Sequence, residues 1–301
     1  MGLFGGFQNA GPGINPYAPK KKPFFRFWEL LWRNLGKLLT LNIVITLMHA
    51  PVLLSMMFYI RKHNNLTVPM CIFLLIVQFF VMGPTYAASA RVLRLIVLDK
   101  AFFFGQEFKK GFTRNFGAAT LYWILNSIVL MSIYAGFQVY PELSQKLGTK
   151  LVFVPQALTM GVGLVLLFMN YYIWTLQAAT TLKKKSVLKN SLMLSALSVK
   201  RCLLSFFLIL AVLGICLLIW MVSSYLIFLF AFFPAAFIGY IVTFIHYPVV
   251  QKYVINPYYE DTGEENPEAE PEIPEDQRVF TDRGGTEKPV KQEKKKGKVI
   301  S

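Results

Sequence analysis

Four strongly polar side chains, His49, Gln78, Asn126 and Asn170, each stand near the middle of a long apolar run. In hydrocarbon such groups have two uses. They bond one another across helices, at an average gain of ~0.6 kcal/mol per bond, or they line a polar cavity that hydrogen-bonds a hydroxyl-rich solute. Asn42, Thr46 and His49 share one helical face by their spacing, and Gln78, Thr85 and Ser89 share another. These four residues are the candidate substrate-binding set, with interhelical glue as the competing reading. His246 lies near the end of the last apolar run, at a different depth, and is left outside the set.

Other chemistry has little to stand on. Before residue 260 the only acids are Glu29, Asp99, Glu107 and Glu142, widely scattered. General acid–base catalysis needs convergent groups, and ion-coupled pumps keep an ionisable side chain within a span; no Asp, Glu, Lys or Arg falls inside the apolar runs. There is no Gly-rich phosphate loop, His-Glu-x-x-His pair or nucleophile elbow. Cys71, Cys202 and Cys216 form no Cys-x-x-Cys pair, and an odd count of free thiols in apolar runs reads as packing. The expectation is a protein without catalytic residues, metal site or cofactor.

The elements that position these residues follow from hydropathy. A mean hydropathy of +0.48, with 55% hydrophobic and 16% charged residues, departs from a soluble domain, where about 25% of residues are charged. Apolar runs of roughly 20 residues match the thickness of a hydrocarbon core. Six spans are predicted, at residues 38–60, 68–90, 117–139, 157–179, 202–222 and 225–247. Only Ser223 and Ser224 separate the last two, which implies a tight hairpin. Pro51, Pro84 and Pro234 lie inside or near the ends of spans and can bend them. Trp174, Trp220, Tyr140 and Tyr247 fall near span ends, where amphipathic rings settle.

Charge sets the orientation. The net charge of +15 would suit nucleic acid, but residues 1–252 hold 23 Lys and Arg against four acids, almost all between the apolar runs. Cations so placed orient a membrane protein, so no nucleic-acid partner is expected. The segment before the first span has six Lys and Arg, and the five connections have two, six, two, six and none. That alternation predicts an even number of spans with both termini cytoplasmic. Residues 20–37 read as an amphipathic helix lying in the interface, with Arg26, Glu29, Arg33 and Lys37 on one face and Phe24, Phe27, Trp28, Leu31 and Leu35 on another.

A weak repeat runs through the pattern. Arg33-Asn34-Leu35-Gly36 introduces the first span and Arg114-Asn115-Phe116-Gly117 the third, the latter after a stripe of Phe104, Phe108, Phe112 and Phe116. Residues 183–201 precede the fifth span with similar but poorer character. The fold expected is therefore all-α and polytopic: six transmembrane helices in three hairpins, each preceded by an interfacial amphipathic helix. Residues 1–37 form a Gly/Pro-rich start and the first interfacial helix, 38–250 the transmembrane domain, and 251–301 a charged, disordered cytoplasmic tail.

The stretch GPGINPYAPKKKPFFRFWEL at the start, Gly83-Pro84-Thr85 late in the second span, and the loop ARVLRLIVLDKAFFFGQEFKKGFTRN together resemble the YesL-like family of bacterial integral membrane proteins, over roughly residues 1–250. The resemblance implies a multi-pass protein of the bacterial plasma membrane. It also implies a role in carbohydrate use, since family members are often encoded beside sugar-uptake genes, and it brings no catalytic residues. The functional expectation is a non-enzymatic protein accessory to carbohydrate uptake or its regulation, with the lipid bilayer and sugar-transporter components as partners. The alternative is a small-solute transporter that uses the four mid-membrane polar residues.

Overall fold

Without water, a spanning segment must satisfy its backbone hydrogen bonds internally, and a helix does this within one segment. The computed structural model describes residues 21–61, 67–222, 233–264 and 266–268, and every regular element among them is helical. Residues 24–266 form one compact unit; residues 1–23 and 267–301 fall in another, of which 21–23, 267 and 268 are described. The Gly/Pro-rich start to residue 20, the hairpin at Ser223-Ser224, the first residues of the sixth predicted span and the tail from 269 lie outside the described residues.

The helices are α1 (Pro23–Arg33), α2 (Leu35–Met48), α3 (Ala50–Arg61), α4 (Thr67–Val97), α5 (Phe104–Arg114), α6 (Phe116–Leu147), α7 (Phe153–Ala179), α8 (Lys184–Leu197), α9 (Val199–Val222) and α10 (Pro234–Val250). A π-helical turn (Gln251–Ile255) then leads into α11 (Asn256–Thr262). Five of these stretches are each long and apolar enough to cross a membrane: α4, α6, α7, α9 and the continuous run Pro234–Thr262. A sixth crossing is available if the pair α1 and α2, bent by 70°, counts as one span. The chain is thus an all-α, multi-pass membrane protein. The first span predicted from sequence is divided at His49 between α2 and α3, two residues before Pro51, which has no N–H to offer the helix. At the other end the chain stays helical to Thr262, beyond the predicted start of the tail at 251. Ile255 is buried there, and Pro257, which has no N–H to give, lies two residues past the π-helical turn.

Three joints repeat. Asn34, Asn115 and Ser198 separate α1 from α2, α5 from α6 and α8 from α9, with φ/ψ of −108°/16°, −107°/9° and −123°/34°. These are bridge-region conformations that break a helix without a loop. Each residue's carbonyl already accepts the first bond of the next helix, from Leu38, Ala119 and Cys202. Asn and Ser suit the position because their side chains compete for backbone partners: Asn34 Nδ2 donates to Leu30 O at 3.1 Å and Ser198 Oγ to Leu194 O at 2.7 Å.

The three units then close on one another. The second long helices, α4, α7 and α10, pack together in the middle. The first helices lie outside: α6 against α4 and α7, α9 against α10 and α7, and α2 against α10 and α4. Each short helix docks on the central helix of the preceding unit. Thus α5 lies on α4 and α8 on α7. The first short helix, α1, closes the ring on α10, where the Phe27 ring meets Tyr240 at 4.9 Å and Phe244 at 5.2 Å and Tyr240 donates its hydroxyl to Phe27 O at 2.8 Å. The core sits where the central helices meet, with Val92, Leu93, Ile96, Tyr172, Leu176, Tyr240, Tyr247 and Val250 buried. Farther along, Ile72, Phe73 and Ile76 of α4 and Leu158, Val162 and Val165 of α7 are exposed, as surfaces that face lipid tails should be.

Lipid is as apolar as leucine, so close packing must do much of the joining. Where α4 crosses α6, a side chain on Gly83 would place its Cβ 2.4 Å from Ala119 O. Where α6 crosses α7, one on Gly136 would collide with the Gln156 amide. Ion pairs tie the short helices down at the same end of the molecule: Arg91 Nε donates to Glu107 Oε2 at 2.6 Å, and Arg33 pairs with Asp99.

Candidate functional site

Of the four residues singled out in the sequence, the structure brings two together. Asn126 on α6 and Asn170 on α7 exchange amide hydrogen bonds, Nδ2 to Oδ1 at 2.9 Å in one direction and 2.5 Å in the other. Each Nδ2 also donates to its own helix, to Tyr122 O at 2.9 Å and Leu166 O at 2.8 Å. Both amides are thereby occupied. The pair is one rung of a series along the hairpin. Asn115 Nδ2 donates to Gln177 O at 3.4 Å and Gln177 Nε2 to Asn115 O at 3.2 Å. Farther on, Gln156 Nε2 reaches Ile133 O at 3.4 Å through the gap that Gly136 leaves.

His49 and Gln78 do not join this pair. His49 is half-buried at the break between α2 and α3, and its Nδ1 lies 2.7 Å from Ile45 O, a contact that needs the proton on Nδ1. Gln78 on α4 is buried, and neither of its amide atoms has a hydrogen-bond partner among the described residues. The antiparallel register of α3 and α4, marked by Cys71 Sγ on Ser55 O at 3.4 Å, sets Gln78 level with Met48 and His49. Asn42, expected on the His49 face, instead accepts the Ala236 N–H at 2.7 Å and so caps the start of α10.

An open groove of about 520 Å³ runs between α4 and α6, lined by Phe79, Ile124, Ser127, Ile128, Met131, Ser132 and Ala135. Its two serines turn their hydroxyls back on their own helix, Ser127 to Trp123 O at 2.9 Å and Ser132 to Ile128 O at 2.8 Å. The groove therefore presents hydrocarbon. None of the four candidate residues lines it.

Sequence reasoning missed two polar centres. The first surrounds His246 on α10, which has no exposed surface. Its Nε2 lies 2.9 Å from Ser205 Oγ of α9 and its Nδ1 2.8 Å from the Tyr172 hydroxyl of α7, which bonds in turn to Ser198 Oγ. Ser198 donates to Leu194 O, so it accepts from Tyr172. Tyr172 then accepts from His246 Nδ1–H, and Ser205 donates to Nε2. One neutral imidazole satisfies the whole chain of donors. Tyr171 stacks on the imidazole at 5.0 Å. This network fastens α7, α9 and α10 to one another.

The second centre is Arg94, in the last turn of α4, four residues beyond the predicted end of the second span. Its Nε donates to the Tyr247 hydroxyl at 2.9 Å and its Nη1 to Ala178 O at 3.3 Å. It thus joins all three central helices, and places a cation at the carbonyl end of α7, where the helix dipole favours one. The sequence offered no signal beyond a cation in a connection, which orientation alone explains.

Among the described residues no group of three or more His, Cys, Asp or Glu is placed to hold a metal ion. The cysteines are free, Cys71 and Cys202 buried and Cys216 half-buried. No family model, curated relative or solved structure matches the chain. The site thus defines a class, a helical membrane bundle held by interhelical amide and hydroxyl bonds, and nothing narrower.

Proposed function

We propose that the protein is a non-enzymatic component of the bacterial plasma membrane, oriented with both termini in the cytoplasm, that assists carbohydrate uptake or its regulation by associating with transporter components at its cytoplasmic face. The observation that carries the non-transporting reading is the Asn126–Asn170 pair, whose amides bond each other and their own helices and so leave little for a solute. The His246 network is closed in the same way. The link to carbohydrate rests on the resemblance of the N-terminal stretch, Gly83-Pro84-Thr85 and the loop after α4 to the YesL-like family.

One observation favours the second reading, a small-solute transporter. Gln78 is buried with both amide atoms unpartnered among the described residues, at the level where α2 gives way to α3. Burying an unmade amide costs about 1–3 kcal/mol by protein mutational measures, and a solute hydroxyl would relieve that cost. Flux of labelled mono- and disaccharides in proteoliposomes separates the readings. The expected result is flux equal to that of protein-free vesicles. Saturable flux that Gln78→Leu abolishes, in protein that remains folded, would establish the transporter instead.

A further inference from the structure

Six cations on the short helices have no acidic partner among the described residues: Lys109, Lys110 and Arg114 on α5, and Lys184, Lys185 and Lys189 on α8. All six are exposed. On α5 and in the turn before it, Glu107 is engaged by Arg91 and Asp99 by Arg33, and α8 has no acid of its own. Orientation requires cations in these connections but does not require them to converge. Here the end of α5 and the start of α8 are both anchored at one end of the α6–α7 hairpin. The joint after Arg114 is tied to the end of α7 by the reciprocal Asn115–Gln177 bonds. The first turn of α8 is tied to α6 by the Tyr122 hydroxyl, which donates to Lys184 O at 3.2 Å. Arg114 and Lys184 thus stand beside two anchor points on the same end of that hairpin, with Lys110 one turn before Arg114 and Lys185 next to Lys184. Like charges gathered without counter-charge repel one another, which an anion relieves.

The apolar surface at the same edge identifies the kind of anion. Phe116, directly after the joint, and Leu182, two residues before α8, are exposed at 40% and 39%. They stand where the long apolar helix α6 begins and where α7 has just ended, the level at which headgroups give way to acyl chains. A free phosphate would use the cations and leave these side chains in water. A phospholipid uses both.

We infer that the seam between α5 and α8 is a binding site for an anionic phospholipid, with Lys110, Arg114, Lys184 and Lys185 holding the headgroup phosphate and Phe116 and Leu182 meeting the first part of the acyl chains. The site is independent of the carbohydrate reading, and it sits at the cytoplasmic face in the orientation proposed above.

The test reconstitutes the full chain in mixed bilayers with spin-labelled phosphatidylglycerol or phosphatidylcholine, and measures the relative association of each with the protein. Phosphatidylglycerol is expected to be favoured by about threefold or more at low ionic strength, the scale expected for a few cations at an anionic surface. The preference should fall towards one near 1 M salt, where the screening length is only about 3 Å. The variant Lys110→Gln/Arg114→Gln/Lys184→Gln/Lys185→Gln should lose it, while Lys184→Arg/Lys185→Arg and the control Lys146→Gln/Lys150→Gln should keep it. If the fourfold variant does not fold, the salt dependence and the arginine variant still decide. Equal association of the two lipids with the unaltered protein would overturn the site, as would a preference that survives the fourfold change. Loss of the preference on adding inorganic phosphate at constant ionic strength would overturn the lipid in favour of a free anion.

Discussion

Asn126 and Asn170 are the residues on which the two functional readings part. A reciprocal amide pair in hydrocarbon is a joint between helices, and removing one half leaves the other unpaired where water cannot reach it. Asn126→Leu and Asn170→Leu should each lower the thermal stability of the purified protein, by roughly 0.5–2 kcal/mol, and the double variant should lose less than the sum. His246→Phe, measured alongside, should cost more, because it strands the hydroxyls of Tyr172 and Ser205 together. Independent, additive losses for the asparagines would mean that the two amides do not act as a pair. The residue types of this pair were legible in the sequence as strongly polar groups at mid-depth. Which of the four would meet was not, because contact depends on how each helix is rotated and crossed. A one-residue rotation moves a side chain by about 100° around the axis. His246 was set apart on depth, and its partners come from two other helices far away in the chain.

At the scale of elements, the spans were readable because their signals are local: length, apolar continuity and alternating charge. Two of the three joints were readable as well, since Arg-Asn-x-Gly occurs at both Asn34 and Asn115. The third was weaker because Ser198 does the same backbone work without the flanking Arg and Gly. Crossing points were not legible. Gly83 belongs to a quoted motif, yet its role appears only where α4 meets α6. A Cβ there would lie 2.4 Å from the Ala119 carbonyl oxygen, a backbone atom that cannot turn aside. Gly83→Val should therefore part the two helices and lower stability by about 1–3 kcal/mol, the usual cost of overpacking. Gly117→Ala is the matched control, since a side chain there meets nothing within 4 Å. A thermal melt of both variants in the same detergent checks the contrast. Equal midpoints would mean that the crossing is looser than it is drawn here.

Across residues 24–266, one design is repeated three times: a short helix, a bend at Asn or Ser, and a helical hairpin, whose first arm is broken into α2 and α3 in the first unit. The central helices meet around Arg94 and the His246 network, both near the end that carries the cationic joints. The function proposed above makes this bundle, pinned at that end by polar bonds, a partner in an assembly. The most direct measurement is purification of the chain in mild detergent at its native abundance, with every stoichiometric companion identified. The account predicts a sugar-uptake component among the companions. A chain recovered alone, in a preparation that keeps other membrane complexes intact, would contradict it.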